Sequence, residues 1–424
     1  MSNNSHHSLP GSDDIHREVL PNGITILTRS NFNSPSVVIS GYFGAGALYD
    51  PDDKLGLAEY TSYTLMRGTN ARSFDKIYNE LESVGASLGF SSGVHTSGFN
   101  GRSLSEDLPL LLTLLSESLI SPTFPKIEVE KLRAQLLTGL SIRAQDTSDM
   151  ASLTFDQILF KGHPYSRPED GYPETILNIQ RSDLLRFHRD YYGPRGMVIA
   201  IVGAVMAEEA VRQVKRFLGG WQVKGQKEPY EISEPKHLKK TVSRHHRIPG
   251  KSQSDLVIGT NGPRRRDPEY MSASLGNNVL GQFGMMGRIG EVVREKSGLA
   301  YYAYSSLSAG TGPGSWEISA GVNPQNVGRA RNLIEEELAR FVQEGITEDE
   351  LADSKANFIG RLPLSLESNG GVANALLNME RHQLGLDYYR RYPDLVNGVT
   401  IEDVLTTARK FIDVARLAVA VAGP

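Results

Sequence analysis

The sequence predicts an α+β fold of two homologous domains, each about 200 residues, a normal domain size. Each is expected to be a mostly antiparallel β-sheet packed with α-helices. Three echoes within the chain carry this reading. IQRSDLLRFHRDYYGPRGMVIAIVGAV, near residue 180, returns at the C-terminus as VTIEDVLTTARKFIDVARLAVAVAGP. Ahead of each lies a helix, a turn and a second amphipathic helix: LPLLLTLLSESL then SPTFPKIEVEKLRAQLLTGL, and ARNLIEEELARFV then EGITEDELADSKANFIGRL. Ahead of those come strand pairs, SLGFSSGVHTSGFNGRSL in one half and YYAYSSLSAGTGPGSWEISAGV in the other.

The elements follow in order. Residues 1–15 read as a flexible polar tail, and His6 and His7 within it as solvated rather than metal-binding. A first domain spans 16–220, a Gly-, Pro- and charge-rich linker 221–237, and a second domain 238–424. Ser182 and Thr400 are expected to cap the two echoed helices, because acidic residues follow each in the first turn. MVIAIVG and LAVAVAG are near-continuous apolar runs ending in Gly, the pattern of a buried strand.

Bulk composition excludes several functions. The chain has 424 residues, 39% apolar and 22% charged, with 45 basic and 49 acidic side chains. A net charge of -4 gives no field that would gather nucleic acid or an anionic membrane. With no cysteine there is no disulfide, thiol nucleophile or thiolate zinc site. No apolar run reaches the length of a spanning helix, and no secretory signal is visible, so no membrane insertion and a cytoplasmic location are expected.

The stretch GLAEYTSYTLMRGT, Gly56 to Thr69, reads as a helix in a recognisable frame. Together with LPNGITIL, GAGALYDP, HPYSRPEDG, DLLRFHRDYYGPRGM, LGQFGMMGRIGEVVREKSGLAYYAYS and YRRYPDLVNGVTIEDV, it resembles the pitrilysin/insulinase family of zinc peptidases, the inverzincins. The likeness runs from Leu20 to the C-terminus. It is strongest to the short-chain members related to mitochondrial processing peptidase and the bc1 core proteins, and it implies a processing-peptidase-like fold. The family's chemistry lies in H-x-x-E-H on a helix, where two histidines share a zinc ion and the glutamate activates its water. Here Glu59 and Tyr63 stand at the histidine places and Ser62 at the base. The distant glutamate ligand falls on Gly139, and neither Glu128 nor Glu130 upstream would restore the histidines. No pair among His95, His163, His188, His237, His245, His246 and His382 has ligand spacing, and His163 and His188 read as turn and packing residues. No metal or cofactor is therefore expected in this chain.

A second motif survives. VREKSGLAYYAYS keeps Arg294 and Tyr301, seven residues apart. The resemblance implies that these two reach a zinc site carried by another unit. The guanidinium would hold peptide carbonyls through forked hydrogen bonds, and the phenol would donate to the developing oxyanion. Tyr301 fits the register rather than Tyr302. SLGFSSG places Leu88, Gly89, Phe90, Ser91 and Ser92 on an edge strand that would pair with an extended peptide. Met285 and Met286, in a Gly-rich loop, read either as adaptable apolar contacts or as core. The implied role is a zinc-free subunit of a heterodimeric peptidase, its partner a homologous chain with intact H-x-x-E-H and zinc, its substrates peptides. The alternative is a structural or peptide-binding subunit, like the core proteins, with no part in hydrolysis.

Overall fold

The computed structural model describes residues 9–227, 232–284 and 287–424. Its strands are β1 (His16–Val19), β2 (Thr25–Ser30), β3 (Ser36–Phe43), β4 (Ser87–Ser92), β5 (Ser97–Leu104), β6 (Val198–Gly203), β7 (Val242–Arg247), β8 (Ser254–Asn261), β9 (Ala300–Leu307), β10 (Ser315–Val322) and β11 (Ala418–Gly423). The helices begin with α1 (Leu57–Thr64), α2 (Phe74–Ser83), α3 (Leu108–Ile120), α4 (Lys126–Arg143), α5 (Thr147–Leu159), α6 (Pro173–Asn178), α7 (Arg181–Tyr191) and α8 (Ala207–Leu218). They continue with α9 (Tyr270–Gly281), α10 (Gly287–Gly290), α11 (Val327–Glu344), α12 (Glu348–Ser365), α13 (Asn369–Arg381), α14 (Tyr388–Asn397) and α15 (Ile401–Phe411).

The predicted α+β class holds, and the duplication is visible in the sheets. The first sheet runs β1-β2-β6-β3-β5-β4, the second β7-β11-β8-β10-β9. From β2 onward the two orders coincide: β7 takes the place of β2, β11 of β6, β8 of β3, β10 of β5 and β9 of β4. In each, one neighbouring pair is parallel, β2 with β6 and β7 with β11, and the other pairs are antiparallel. Both apolar runs are inner strands, β6 and β11, and β6 is buried along its whole length.

The compact units do not follow the sequence halves. One unit is Met1–Leu140, Pro168–Glu231 and Pro363–Arg390; the other is Ser141–Arg167, Ile232–Leu362 and Arg391–Pro424. Helix α5, from the first half, lies on β8 and β11, while α13, from the second half, lies on β3 and β6. The boundaries 16–220 and 238–424 therefore describe the repeat, not the packing. Side-chain alternation explains why α5 fits. Ala418, Ala420 and Ala422 line one face of β11 and join Ala151, Phe155 and Ile158 of α5 in a core, while Val419 faces the other core of that unit. Small residues let the helix approach closely.

Two local expectations are corrected. Residues 9–15 are anchored: Leu9 and Ile15 are buried, the Ser12 backbone N–H and hydroxyl donate to Asp387 at 2.8 and 2.9 Å, and Arg29 Nε donates to Asp14 at 2.8 Å. Two apolar side chains and two placed carboxylates suffice to hold the segment; His6 and His7 lie outside the described residues. The N-cap of α7 is Gln180, not Ser182, because Asp183 accepts the Gln180 backbone N–H at 2.8 Å and starts the helix two residues earlier. Thr400 caps α15 as expected, with Asp403 completing the reciprocal box. Among the described residues no helix is long and apolar enough to cross a membrane.

Candidate functional site

Helix α1 is built as a rigid platform. Asp50, itself buried, accepts the backbone N–H groups of Gly56 and Ala58 at 2.9 Å each, satisfying donors at the helix start. Gly56 sits at φ +91, where a Cβ would also meet Ile176 at 2.6 Å, so the glycine of the Gly-Leu-Ala frame is required. Buried Tyr60 donates its hydroxyl to the Val129 carbonyl at 2.5 Å, tying α1 to α4. Arg133 of α4 lies 5.5 Å over the same ring, and burial pushes the Tyr60 phenol up to about 12.

On this platform the three expected positions fall as follows. Ser62 is buried, and its hydroxyl donates to the Glu59 carbonyl at 2.8 Å, the back-bonding that serine commonly makes in helices. Tyr63 is 41% exposed; burial of the rest of the ring, then the charges of Glu59, Asp170 and Glu169, raise its pKa. Gly139 is exposed on α4 and offers no side chain. Glu169 and Asp170, within the HPYSRPEDG string, were not singled out by the sequence; only that motif marked them. Burial and then Asp170 raise the Glu169 carboxyl, and its Oε2 lies 3.6 Å from where a Gly93 Cβ would be, just past β4.

Strand β4 is an edge, paired only with β5 among the described residues. Leu88 and Phe90 turn inward and are buried; Gly89 and Ser91 face out, with Ser92 half-buried at the end. Five residues expected to meet a peptide thus divide. Two hold the strand in the core, and the backbone with the outward residues is left at the edge.

In the other unit a π-helical turn, Glu291–Glu295, precedes β9, with the Lys296 N–H reaching Glu291 O at 2.8 Å. Such turns re-aim side chains and are frequent at functional sites. Arg294 lies in the last part of this turn, part exposed, 3.5 Å from Glu295. Gly298, at φ +62, turns the chain into β9. Tyr301 is 70% exposed. Its neighbour Tyr302 lies on the opposite face and donates its hydroxyl to Asp255, a carboxylate 1% exposed that also accepts from Thr147 and from Gln253 at 3.0 Å. Burial, then Asp255, drive the Tyr302 phenol well above the tyrosine range. Tyr302 is therefore a structural group, and Asp255, which the sequence did not mark, is what commits it. Met285 and Met286 lie outside the described residues. His163 and His188 are structural: each ring Nε2 meets a carbonyl, Ser233 O at 3.0 Å and Leu119 O at 2.8 Å.

A two-sheet α+β duplication with this helix frame is that of the M16 peptidases. Residues 25–168 match the insulinase (peptidase family M16) model and residues 178–358 the peptidase M16 inactive domain model. An uncharacterized zinc protease of Streptomyces coelicolor is 26% identical over 98% of this chain and 90% of its own length. One from Bacillus subtilis is 24% identical over 93% and 95%. A solved structure described as the peptidase M16 inactive domain from Pseudomonas fluorescens is 26% identical, with a TM-score of 0.90 over 97% of this chain and 98% of that one. A protease from Helicobacter pylori shares the fold, at 17% identity and a TM-score of 0.91 over 98% and 100%. The chain belongs to the pitrilysin/insulinase (M16) peptidase family.

The family implies zinc, and the residues at the corresponding place do not fit it. Ser62 is turned onto its own helix, the Tyr63 phenol is pushed above its ordinary pKa by burial and neighbouring carboxylates, and Gly139 has no donor atom. Glu59 alone offers an oxygen of the kind zinc takes. Among the described residues no group of three or more His, Cys, Asp or Glu is placed to hold a metal.

Proposed function

We propose that this chain is the zinc-free subunit of a two-chain M16 peptidase. Its partner would be a homologous chain with intact H-x-x-E-H that carries the zinc and the general base. This chain would supply Arg294 and Tyr301, and its β4 edge from Leu88 to Ser92 would receive an extended peptide. The observation that carries the reading is the contrast between neighbours on β9. Tyr302 is held by Asp255, while Tyr301 presents its ring to solvent beside a π-helical turn that bears Arg294. An exposed phenol can donate to an oxyanion, and a guanidinium can hold the adjacent carbonyl through two N–H groups.

The test is cleavage of an unfolded peptide by this chain, by the H-x-x-E-H partner, and by their mixture. The mixture is expected to exceed the partner alone by tenfold or more, with no activity in this chain alone. Equal rates for partner and mixture would leave the structural, core-protein-like role instead.

A further inference from the structure

The two sheets coincide from β2 onward, but the first continues one strand further. There β1, a strand of 4 residues, closes the outer edge of β2 in antiparallel pairing. The corresponding strand of the second sheet, β7, pairs only with β11 among the described residues. The chain just ahead of β7 does not fold back onto that edge as β1 does. The Ser233 carbonyl meets His163 Nε2 at 3.0 Å, and Leu238 packs against the core that α5 forms with β11.

The open side of β7 can be named residue by residue. The backbone N–H groups of Val242 and Ile248 reach the carbonyls of Leu417 and Gly423 at 2.9 and 2.7 Å. In a parallel ladder alternate residues bond to one neighbour, so Val242, Arg244, His246 and Ile248 turn towards β11. Ser243, His245 and Arg247 therefore turn N–H and C=O outward. None of these three makes a backbone hydrogen bond outside the ladder among the described residues, and all three are exposed.

The edge is also strongly basic. Between Glu234 and Asp255 stand Lys236, Lys239, Lys240, Arg244, Arg247 and Lys251, and no carboxylate. None of the six forms an ion pair among the described residues; Arg244 instead donates to Gln157 of α5 at 3.1 Å. In a chain of net charge -4 this gathers a positive field along one strand. A charge on an edge strand is a common guard against self-pairing. Here the cations run past both ends of β7, Lys239 and Lys240 ahead of it and Lys251 behind, further than a guard requires. A second copy of β7 would bring like charges together. Nucleic acid or an anionic bilayer would answer the charge and leave the outward backbone groups unmet. An acidic strand answers both. We infer that the β7 edge binds an extended acidic segment of another protein, which adds antiparallel to β7 as β1 adds to β2. Its backbone bonds to Ser243, His245 and Arg247, and its carboxylates meet Arg247 and the flanking lysines.

Fluorescence anisotropy of the full chain tests this with a labelled heptapeptide that alternates glutamate and valine, and with an analogue carrying proline at the valine places. The charge is the same in both, but proline lacks the N–H and fixes φ away from a regular strand. The valine peptide is expected to bind saturably, and more weakly at high salt. The proline analogue is expected to bind about tenfold more weakly, as the loss of two or more hydrogen bonds predicts. Combined Lys239→Glu, Lys240→Glu and Arg247→Glu, all at exposed positions, should weaken binding about tenfold or more. His245→Pro removes an outward N–H that the ladder does not use, and leaves all six cations in place. A severalfold loss is expected, and the charge reversal serves if this variant does not fold. No saturable binding at millimolar peptide, equal binding of the two peptides, or unchanged binding after charge reversal would overturn the inference. So would tighter binding of an oligothymidylate or of phosphatidylserine vesicles than of the valine peptide, which would assign the edge to nucleic acid or to a membrane.

Discussion

Strands β4 and β9 occupy the same place in two copies of one sheet, each at an edge and each paired with a single antiparallel neighbour. What surrounds them differs. Beside β4 stands α1, a well-fixed helix whose expected functional positions carry a serine bonded to its own backbone and a tyrosine whose pKa burial and then nearby carboxylates raise. Ahead of β9 stands a π-helical turn that carries Arg294, and Tyr301 follows in the open. A duplicated scaffold can thus keep its frame while the side chains set on its two copies meet different surroundings. The supports of α1, Asp50, Gly56 and Tyr60, hold a helix in place whether or not that helix binds a metal.

The largest expected effect follows from that separation of frame and chemistry. The combined substitution Glu59→His, Ser62→Glu, Tyr63→His and Gly139→Glu restores the family's donor set on an intact platform. Nothing lies within 4 Å of a Cβ at Gly139. Elemental analysis is expected to find about one zinc per variant chain and none in the parent, as a complete ligand set predicts. Stoichiometric zinc in the parent, lost in Glu59→Ala, would erase the contrast.

Next comes the frame itself. Asp50→Ala removes the acceptor of two backbone N–H groups at the start of α1. A loss of about 3 kcal/mol in chemical denaturation is expected for a buried charged acceptor. On the β9 side the two tyrosines separate cleanly. Tyr302→Phe takes a donor from buried Asp255 and is expected to cost about 1–2 kcal/mol. Tyr301→Phe should change stability by less than about 0.5 kcal/mol. Equal losses at both positions would mean that Tyr301 also has a structural task.

The smallest effect concerns a histidine that remains. His188 packs between Phe124 and Tyr192, and burial holds its pKa below the ordinary value of 6.5. The unfolded chain binds this proton more readily than the folded one. Its contribution is therefore fully present above about 6.5 and is lost as pH falls from there towards the lower folded value. The decline in melting temperature between pH 7 and 5 should be shallower in His188→Gln.

Much of this was legible in the sequence. The repeat, the hairpins and the buried runs are local patterns, and periods of 2 and 3.6 reveal them. The exchange of α5 and α13 was not, because an amphipathic face shows that a helix packs without saying on which sheet. The pairing of Tyr302 with Asp255 joins residues far apart in sequence, and no local spacing announces it. Strand alternation did place Tyr301 and Tyr302 on opposite faces, and burial then distinguishes them. Residues 9–15 looked like tail because the contacts that order them, to Asp387 and Arg390, come from the other end of the chain.

The most direct measurement is kcat/KM for a peptide cleaved by the H-x-x-E-H partner mixed with this chain, with Arg294→Ala, or with Tyr301→Phe, at concentrations where each pair is shown to associate. Losing an oxyanion donor typically costs about 10²–10³ in rate. The expected result is a loss of that order for Tyr301→Phe, and a clear loss for Arg294→Ala, with association unchanged. Full activity in both variants would contradict the assignment of Arg294 and Tyr301 to the partner's active site.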